Sequence, residues 1–393
     1  MKLLVYLLTL VAATIVASCS EEKKLQLTPW GTTLEAAADS IPDDFTLDDI
    51  LNNGELIMLT LTGPETYYDY HGKGMGTQYM LCEKFASALG VSLRVEVCKD
   101  TTDLLTRLDK GEGDIIALAL PEKTKGVRIC GARDAKRHQG WAVQADNVAL
   151  ADTLDRWYRP SMLTQVRQEM EFMLSTRSVT RHVYSPMLNR SAGIISQYDH
   201  LFQKYAPVAR WDWRLLAAQC YQESTFDPKA RSWVGACGLM QIMPETADQL
   251  GLPRSQIYEP EANIAASTKY IAQLDSKLRD IPEKTERTWF VLACYNGGYH
   301  HIRDAMELAR KHGHNPHRWE EVSPYVLGLR EARYYNDPVV RYGYMRGNET
   351  VDYVDRIRQR WAQYRGSAGA GSFSGSFGTP TPQPAKKKYR FHI

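Results

Sequence analysis

Charge of one sign is the first thing this 393-residue sequence lacks: 48 Lys plus Arg stand against 46 Asp plus Glu. A net charge of +2 creates no global field to gather nucleic acid or to repel an anionic partner. The 27 Gly and 18 Pro follow no period, which excludes collagen-like folding. The N-terminal apolar run, Leu3 to Ala17, is broken only by Thr9 and Thr14 but falls short of the roughly 20 residues a bilayer-spanning helix needs. No two of the seven Cys sit at CxxC spacing, so neither a structural zinc site nor a thioredoxin-like motif is supported. A phosphate loop, a Ser-His-Asp arrangement and a nucleic-acid module are also absent. What remains is a globular composition, 44% hydrophobic and 24% charged, long enough for two or three domains. It is rich in Tyr (22) and Trp (9), and Tyr pairs an apolar face with a hydroxyl, a surface that carbohydrate favours.

The first segment reads as an address. Lys2 precedes the apolar run, as in an export signal. Val16-Ala17-Ser18-Cys19 then resembles the lipobox of bacterial lipoproteins. That resemblance implies a signal over 1–18 and lipidation of Cys19, the new N-terminus, with several acyl chains holding the protein on a membrane. The alternative is a plain secretory signal with an incidental Cys. Ser20 implies the outer membrane, facing the periplasm, while Glu21-Glu22 leaves surface export open. Residues 19–44 are polar and Ala-rich, a tether. The six remaining Cys are read as buried thiols, with a disulfide among Cys220, Cys237 and Cys294 left open.

Over residues 45–190, short apolar runs alternate with helical stretches. Strands are expected at 55–61, 92–97 and 114–120 and helices at 77–89 and 102–108, a βαβαβ unit with a parallel sheet. Gly76 to Gly90 and Leu104 to Leu120 resemble the first lobe of the amino-acid-type periplasmic solute-binding fold. Gly140-Trp141-Ala142-Val143 resembles that fold's returning strand. Only Pro121 to His138 lie between, too few for a second lobe when one βαβ unit takes about 30 residues. A truncated lobe lacks the closing half of the clamp, so amino-acid capture is not expected and no ligand role passes to Arg128. The lobe instead positions the next domain or meets a partner in the cell-wall machinery.

From Ile194 to Tyr364 the apolar period is 3.6, which argues an all-α domain over 191–365. A Gly/Ser/Pro-rich basic tail, 366–393, is expected to be disordered. Within the helical domain, 213–224 is a helix that sets Glu223 on the face of Leu215, Leu216 and Cys220. Desolvation there raises a carboxyl pKa until it holds a proton near neutrality, whereas a solvated Glu at a helix end is the plainer reading. Gln241 supplies an amide suited to an acetamido group, and Met240 a pliable apolar wall. Tyr295 and Asn296 close a helix that Gly297-Gly298 stops. Tyr353 shares a face with Ile357 and Trp361, where it either bonds the acid or simply packs. His300, His301, His312, His314 and His317 look like a metal cluster, but no Cys or carboxylate completes a ligand spacing, and no metal is expected.

Four motifs coincide in order and spacing: Glu223-Ser224, Gly238-Leu239-Met240-Gln241, Cys294-Tyr295-Asn296-Gly297, and Tyr342 to Gly347 leading to Tyr353-Val354. They resemble the soluble-lytic-transglycosylase family with its goose-lysozyme-like fold, departing from it at Cys294 and Cys237. The resemblance implies a truncated solute-binding-like α/β domain followed by a lysozyme-like all-α transglycosylase domain acting on peptidoglycan without cofactor. Glu223 would be the sole acid and base, with Gln241, Tyr295 and Asn296 along the glycan groove, Ser232 and Met240 as weaker contacts, and Tyr353 supporting Glu223. Two alternatives stay open: a muramidase hydrolysing the same bond, and a catalytically idle envelope lipoprotein that binds glycan or solute.

Overall fold

The computed structural model describes residues 46–134 and 138–366. The expected signal over 1–18, Cys19, the tether over 19–44 and residues 367–393 of the tail lie outside the described residues. Among the described residues, no helix is long and apolar enough to cross a membrane.

Packing divides the chain into two compact units. The first runs up to Leu59 and takes in Ala86–Glu96 and Thr102–Trp157; the second comprises Thr60–Phe85, Val97–Thr101 and the chain from Tyr158 onward.

The α/β unit opens with helix α1, Leu47–Asn53. Thr46 caps it reciprocally with Asp49, and Gly54 ends it in the left-handed region at φ 69°. Its strands are β1 (Glu55–Thr60), β4 (Ser92–Val97), β5 (Ile115–Pro121), β6 (Val127–Asp134) and β7 (Gln139–Gln144). Helix α3 (Thr101–Asp109) follows β4, and of helix α2 (Thr77–Leu89) only the last turn, from Ala86, belongs to this unit; both helices lie close to expectation. The full sheet extends beyond the βαβαβ unit. Its order is β4-β1-β5-β7-β6, and only part of it is parallel: β1 pairs with β5 in parallel, but β7 runs antiparallel to both β5 and β6. The stretch after β5 supplies an unforeseen strand, β6, at the edge of the sheet, where it pairs antiparallel with β7. Leu56, Met58, Ile115, Ile116, Trp141 and Val143 bury in this core, covered by Leu150 and Leu154 of α4 (Val148–Trp157).

The second unit is helical: α5 (Pro160–Met173), α6 (Asp199–Ala209), α7 (Trp213–Ser224), α8 (Pro244–Leu250), α9 (Pro260–Lys277), α10 (Lys284–Gly297), α11 (Tyr299–Lys311), α12 (Trp319–Gly328), α13 (Ala332–Tyr335) and α14 (Gly347–Tyr364). Helix α14 packs against α7, α10 and α12. Phe202, Leu216, Phe290, Ile302, Trp319, Val354 and Ile357 form its core.

Two segments assigned by sequence to the α/β domain belong to this unit. The connector after α5 is pinned to it: Thr180 and Arg231 exchange backbone hydrogen bonds at 2.9 Å, and the His182 N–H donates to Asp227 Oδ2 at 2.6 Å. The break therefore falls at Trp157 rather than near residue 190. The hairpin of β2 (Tyr68–Tyr70) and β3 (Lys73–Met75) also joins it. His71 and Gly72, both at positive φ, make its tight turn. Tyr70 Oη donates to Glu349 Oε2 on α14 at 2.9 Å, and Tyr68 meets Tyr344 edge-on at 4.8 Å.

Candidate active site

Helix α7 begins at Asp212, whose side chain accepts the Arg214 N–H at 2.9 Å. It ends abruptly. Thr225 and Phe226, at φ 54° and 65°, turn the chain left-handed directly after Glu223-Ser224, a conformation that costs non-glycine residues free energy and gathers at functional sites. The Thr225 hydroxyl donates to His182 O at 2.8 Å, and Arg181 Nη1 donates to Glu223 O at 3.1 Å, satisfying a carbonyl that the helix end leaves open. Glu223 is thereby fixed on the last turn of α7, half-buried at the wall of a cleft.

Its carboxyl meets Tyr353 from α14. Tyr353 Oη donates to Glu223 Oε1 at 2.5 Å. Burial pushes the Glu223 pKa from 4.5 up to about 8, with the Tyr353 hydrogen bond and the Arg181 charge pulling the other way. The acid is therefore protonated at neutral pH and ready to donate. An activity that needs this proton holds up through neutrality and falls as pH rises past about 8; a pH–rate profile of kcat/KM checks this, and a basic limb below pH 6 would contradict it.

The cleft has two compartments that share Gln241, Tyr295 and Asn296 as lining. The one holding Glu223, of about 350 Å³, is also lined by Ser232, Trp233 and Tyr353. The larger, about 560 Å³, lacks Glu223 and runs toward His300 and Tyr342. Tyr70 and His71 at the hairpin tip line both, and Tyr70 lies parallel to Trp233 with ring centroids 5.9 Å apart.

The expected residues take different parts. Gln241, at φ 48°, spends its Nε2 on Gly238 O (2.9 Å) and Ala230 O (3.1 Å), so its Oε1 is what it presents to a ligand. Tyr295 turns its hydroxyl inward, donating to Met240 O at 2.7 Å, and offers the cleft its ring. Asn296 Oδ1 accepts from Thr350 Oγ1 at 2.8 Å. Ser232 Oγ accepts the Ala236 N–H at 2.9 Å while lining the Glu223 compartment. Met240 is a correction: its side chain is 0% exposed in the core, and it serves the site through its backbone, donating to Asn263 Oδ1 at 2.8 Å. The turn forces this. Gly238 sits at φ 78° with space for no Cβ, which would lie 2.7 Å from Ile257 O, and this tight approach rolls Met240 inward while Met243 reaches the cleft.

Sequence reasoning missed Arg181, Met243, Trp233, Tyr70 and Gln219. Only Gln219 carried a local signal, a polar residue one helical turn before Glu223 on the same apolar face. Cys82, Cys98, Cys130, Cys220, Cys237 and Cys294 are all buried, and the last four are free thiols.

The transglycosylase SLT domain family matches residues 200–317. A curated relative from Desulfosudis oleivorans, described as a membrane-bound lytic murein transglycosylase F, is 27% identical over 410 residues, covering 78% of this chain and 89% of its own. One of the same description from Pseudomonas fluorescens is 31% identical over 299 residues, 73% of this chain and 60% of that protein, so the chain spans about three fifths of it. Among solved structures, the 70 kDa soluble lytic transglycosylase of Escherichia coli is 25% identical over 44% of this chain and 24% of that one, at a TM-score of 0.28. Domain 1 of the arginine-bound TmArgBP is 22% identical over 30% of this chain and 98% of that one, at 0.26. Residues 200–317, which hold Glu223, Gln241, Tyr295 and Asn296 in one cleft, are thus the part of this chain that matches the transglycosylase SLT domain family.

Proposed function

We propose that this protein is a peptidoglycan lytic transglycosylase that cleaves the β-1,4 bond between N-acetylmuramic acid and N-acetylglucosamine without water. The observation that carries the reading is the origin of the Glu223 shift. Burial is what raises it, and no carboxylate among the described residues contributes. Glycosidases that hydrolyse with two carboxylates place them about 5–9.5 Å apart, where each would perturb the other. Of the other two carboxylates on this wall, Glu349 is engaged by Tyr70 at 2.9 Å and Arg346 at 2.6 Å, and Asp352 is exposed.

One acid suffices if the substrate supplies the rest. Glu223 donates its proton to the glycosidic oxygen, which leaves on N-acetylglucosamine. The 2-acetamido group of the muramyl residue stabilises the cation developing at C1. The C6 hydroxyl of that same sugar then attacks C1 and returns its proton to Glu223. One C–O bond breaks, one forms, no water is consumed, and the product ends in a 1,6-anhydromuramyl residue.

Gln241, through Oε1, and the ring of Tyr295 support a role in seating the glycan, with Asn296 and Ser232 beside them. The relatives' description as membrane-bound supports an envelope location, and Cys19 is the proposed lipid attachment, with the outer membrane as its site. Mass spectrometry of fragments released from purified sacculi tests the reading. Anhydromuramyl ends are expected; ends heavier by one water would instead make the protein a muramidase on the same residues, and no release at all would leave a glycan-binding protein.

A further inference from the structure

The lytic reading uses Glu223 and Tyr353 but leaves unexplained a polar side chain sealed behind them. Gln219 lies one turn before Glu223 on α7 and is 0% exposed. Its Nε2 donates to Tyr353 Oη at 3.1 Å, and its Oε1 is buried with no hydrogen-bond partner among the described residues. A buried orphan acceptor costs stability, and an apolar residue would fill this position among Leu215, Leu216 and Cys220 without that cost. Something other than packing accounts for the amide.

Proton counting supplies it. A phenol has one proton and lone pairs to accept with, while the amide nitrogen can only donate. With Gln219 donating to Tyr353 Oη, the single Tyr353 proton is free to go in one direction only, to Glu223 Oε1 at 2.5 Å. A carboxylic acid that accepts on Oε1 carries its own proton on Oε2, the oxygen Tyr353 does not occupy. The reverse polarity is as easily drawn: Glu223 gives its proton to Tyr353 Oη, and Tyr353 gives its own to an acceptor behind it. In that arrangement the acid proton is spent inside the protein and cannot reach a glycosidic oxygen.

We propose that Gln219 is a positioning residue for proton transfer: its amide donates to Tyr353 Oη, commits the Tyr353 proton to Oε1 of Glu223, and so keeps the acid proton on Oε2 for the substrate. Gln219 touches no reacting atom and acts only through Tyr353. The donated hydrogen bond also polarises the Tyr353 hydroxyl, strengthening its bond to the carboxylate.

The inference rests on the lytic reading of Glu223, and the test separates the two. In the full-length chain, Gln219→Met removes both donor and acceptor, whereas Gln219→Glu keeps the shape and offers an acceptor. Gln219→Met is expected to lower kcat about tenfold with KM within about twofold, and Gln219→Glu to lower it further, because an acceptor there draws the Tyr353 proton away. In a Tyr353→Phe background, Gln219→Met should cost nothing more, since the group it acts through is gone. The melting temperature of Gln219→Met should equal or exceed that of the parent, as the orphan oxygen leaves with the amide. Independently of turnover, infrared difference spectra against Glu223→Gln, recorded in parent and Gln219→Met backgrounds, read the titration of Glu223 itself. Its midpoint is expected to rise when Gln219 is replaced. An unchanged midpoint, or a Gln219→Met cost that adds in full to that of Tyr353→Phe, overturns the proposal even if anhydromuramyl products are released. Water-bearing products with a raised midpoint overturn the lytic reading alone. Should Gln219→Met fail to fold, Gln219→Glu is judged by the same midpoint.

Discussion

Replacing Glu223 by Gln is expected to lower sacculus cleavage by at least the ~10²–10⁴-fold that one general acid–base group contributes, while leaving the fold intact. The amide has nearly the shape of the acid but can neither give up the proton nor take it back. It can still accept from Tyr353, so the partner across the cleft is not left unpaired. The same substitution should stabilise the protein, in a pH-dependent way. A carboxyl whose folded-state pKa is raised from 4.5 to about 8 makes folding less favourable as pH climbs, because above the lower value the unfolded chain ionises and the folded one does not. The penalty is absent below about pH 4.5, grows through the window and is complete above about pH 8. Glu223 keeps some access to solvent, so a net gain of ~1–2 kcal/mol is expected for Glu223→Gln at pH 8, a few degrees in melting temperature. Melting curves of both proteins at pH 4 and pH 8 check the sign: coincidence at the lower pH and a higher midpoint for the variant at the upper one. Near-parental cleavage by Glu223→Gln would move the acid to another residue and end the mechanism proposed here.

Gly347→Ala should produce the largest loss of stability. Gly347 begins α14 and is buried against α12; a Cβ there would lie 1.7 Å from Val326 O and 2.4 Å from Val326 C. Its φ lies outside the left-handed region, so the obstacle is contact and not backbone strain. The opposing atoms are main chain, and no rotamer change can relieve them. Helix α14 must shift off α12, at a cost of ~4 kcal/mol, the upper range for overpacking a core, or about 10 °C in a unit of this size. Activity should fall with it, since Tyr353 rides on the same helix less than two turns on and its 2.5 Å bond to Glu223 tolerates no such shift. Trimming the opposing side chain in Gly347→Ala/Val326→Ala should restore nothing, because the clash is with the carbonyl. Calorimetry of the two variants decides this, and a melting temperature within a degree or two of the parent would contradict the geometry.

The local part of this site was readable from order and spacing. The apolar face of residues 213–224, Pro244 at the first turn of α8 and the Gly297-Gly298 stop each determine their element through near neighbours in the chain, and the structure returns those elements with nearly the same ends. The direction of the Glu223 shift was also readable, because a carboxyl on the buried face of a helix is desolvated whatever covers that face. Its size was not. It depends on α14 supplying a hydroxyl from 130 residues away and on Arg181 arriving from the connector, and no periodicity in α7 encodes which surface will close over it. Likewise the pattern around 121–138 showed a stretch too short for a lobe but not that it would pair as an antiparallel strand. Met240 was read as a groove wall because its neighbours in sequence line the groove, yet the turn at Gly238 rotates it into the core. The hairpin Tyr70, 279 residues from the Glu349 it bonds, belongs to the helical unit only by packing. Local sequence decides which face of each element must be buried, since that follows from the repeat of a single helix or strand. Which faces meet, and hence which proton reaches which oxygen, is a property of pairs of elements far apart in the chain, and only the tertiary structure decides it.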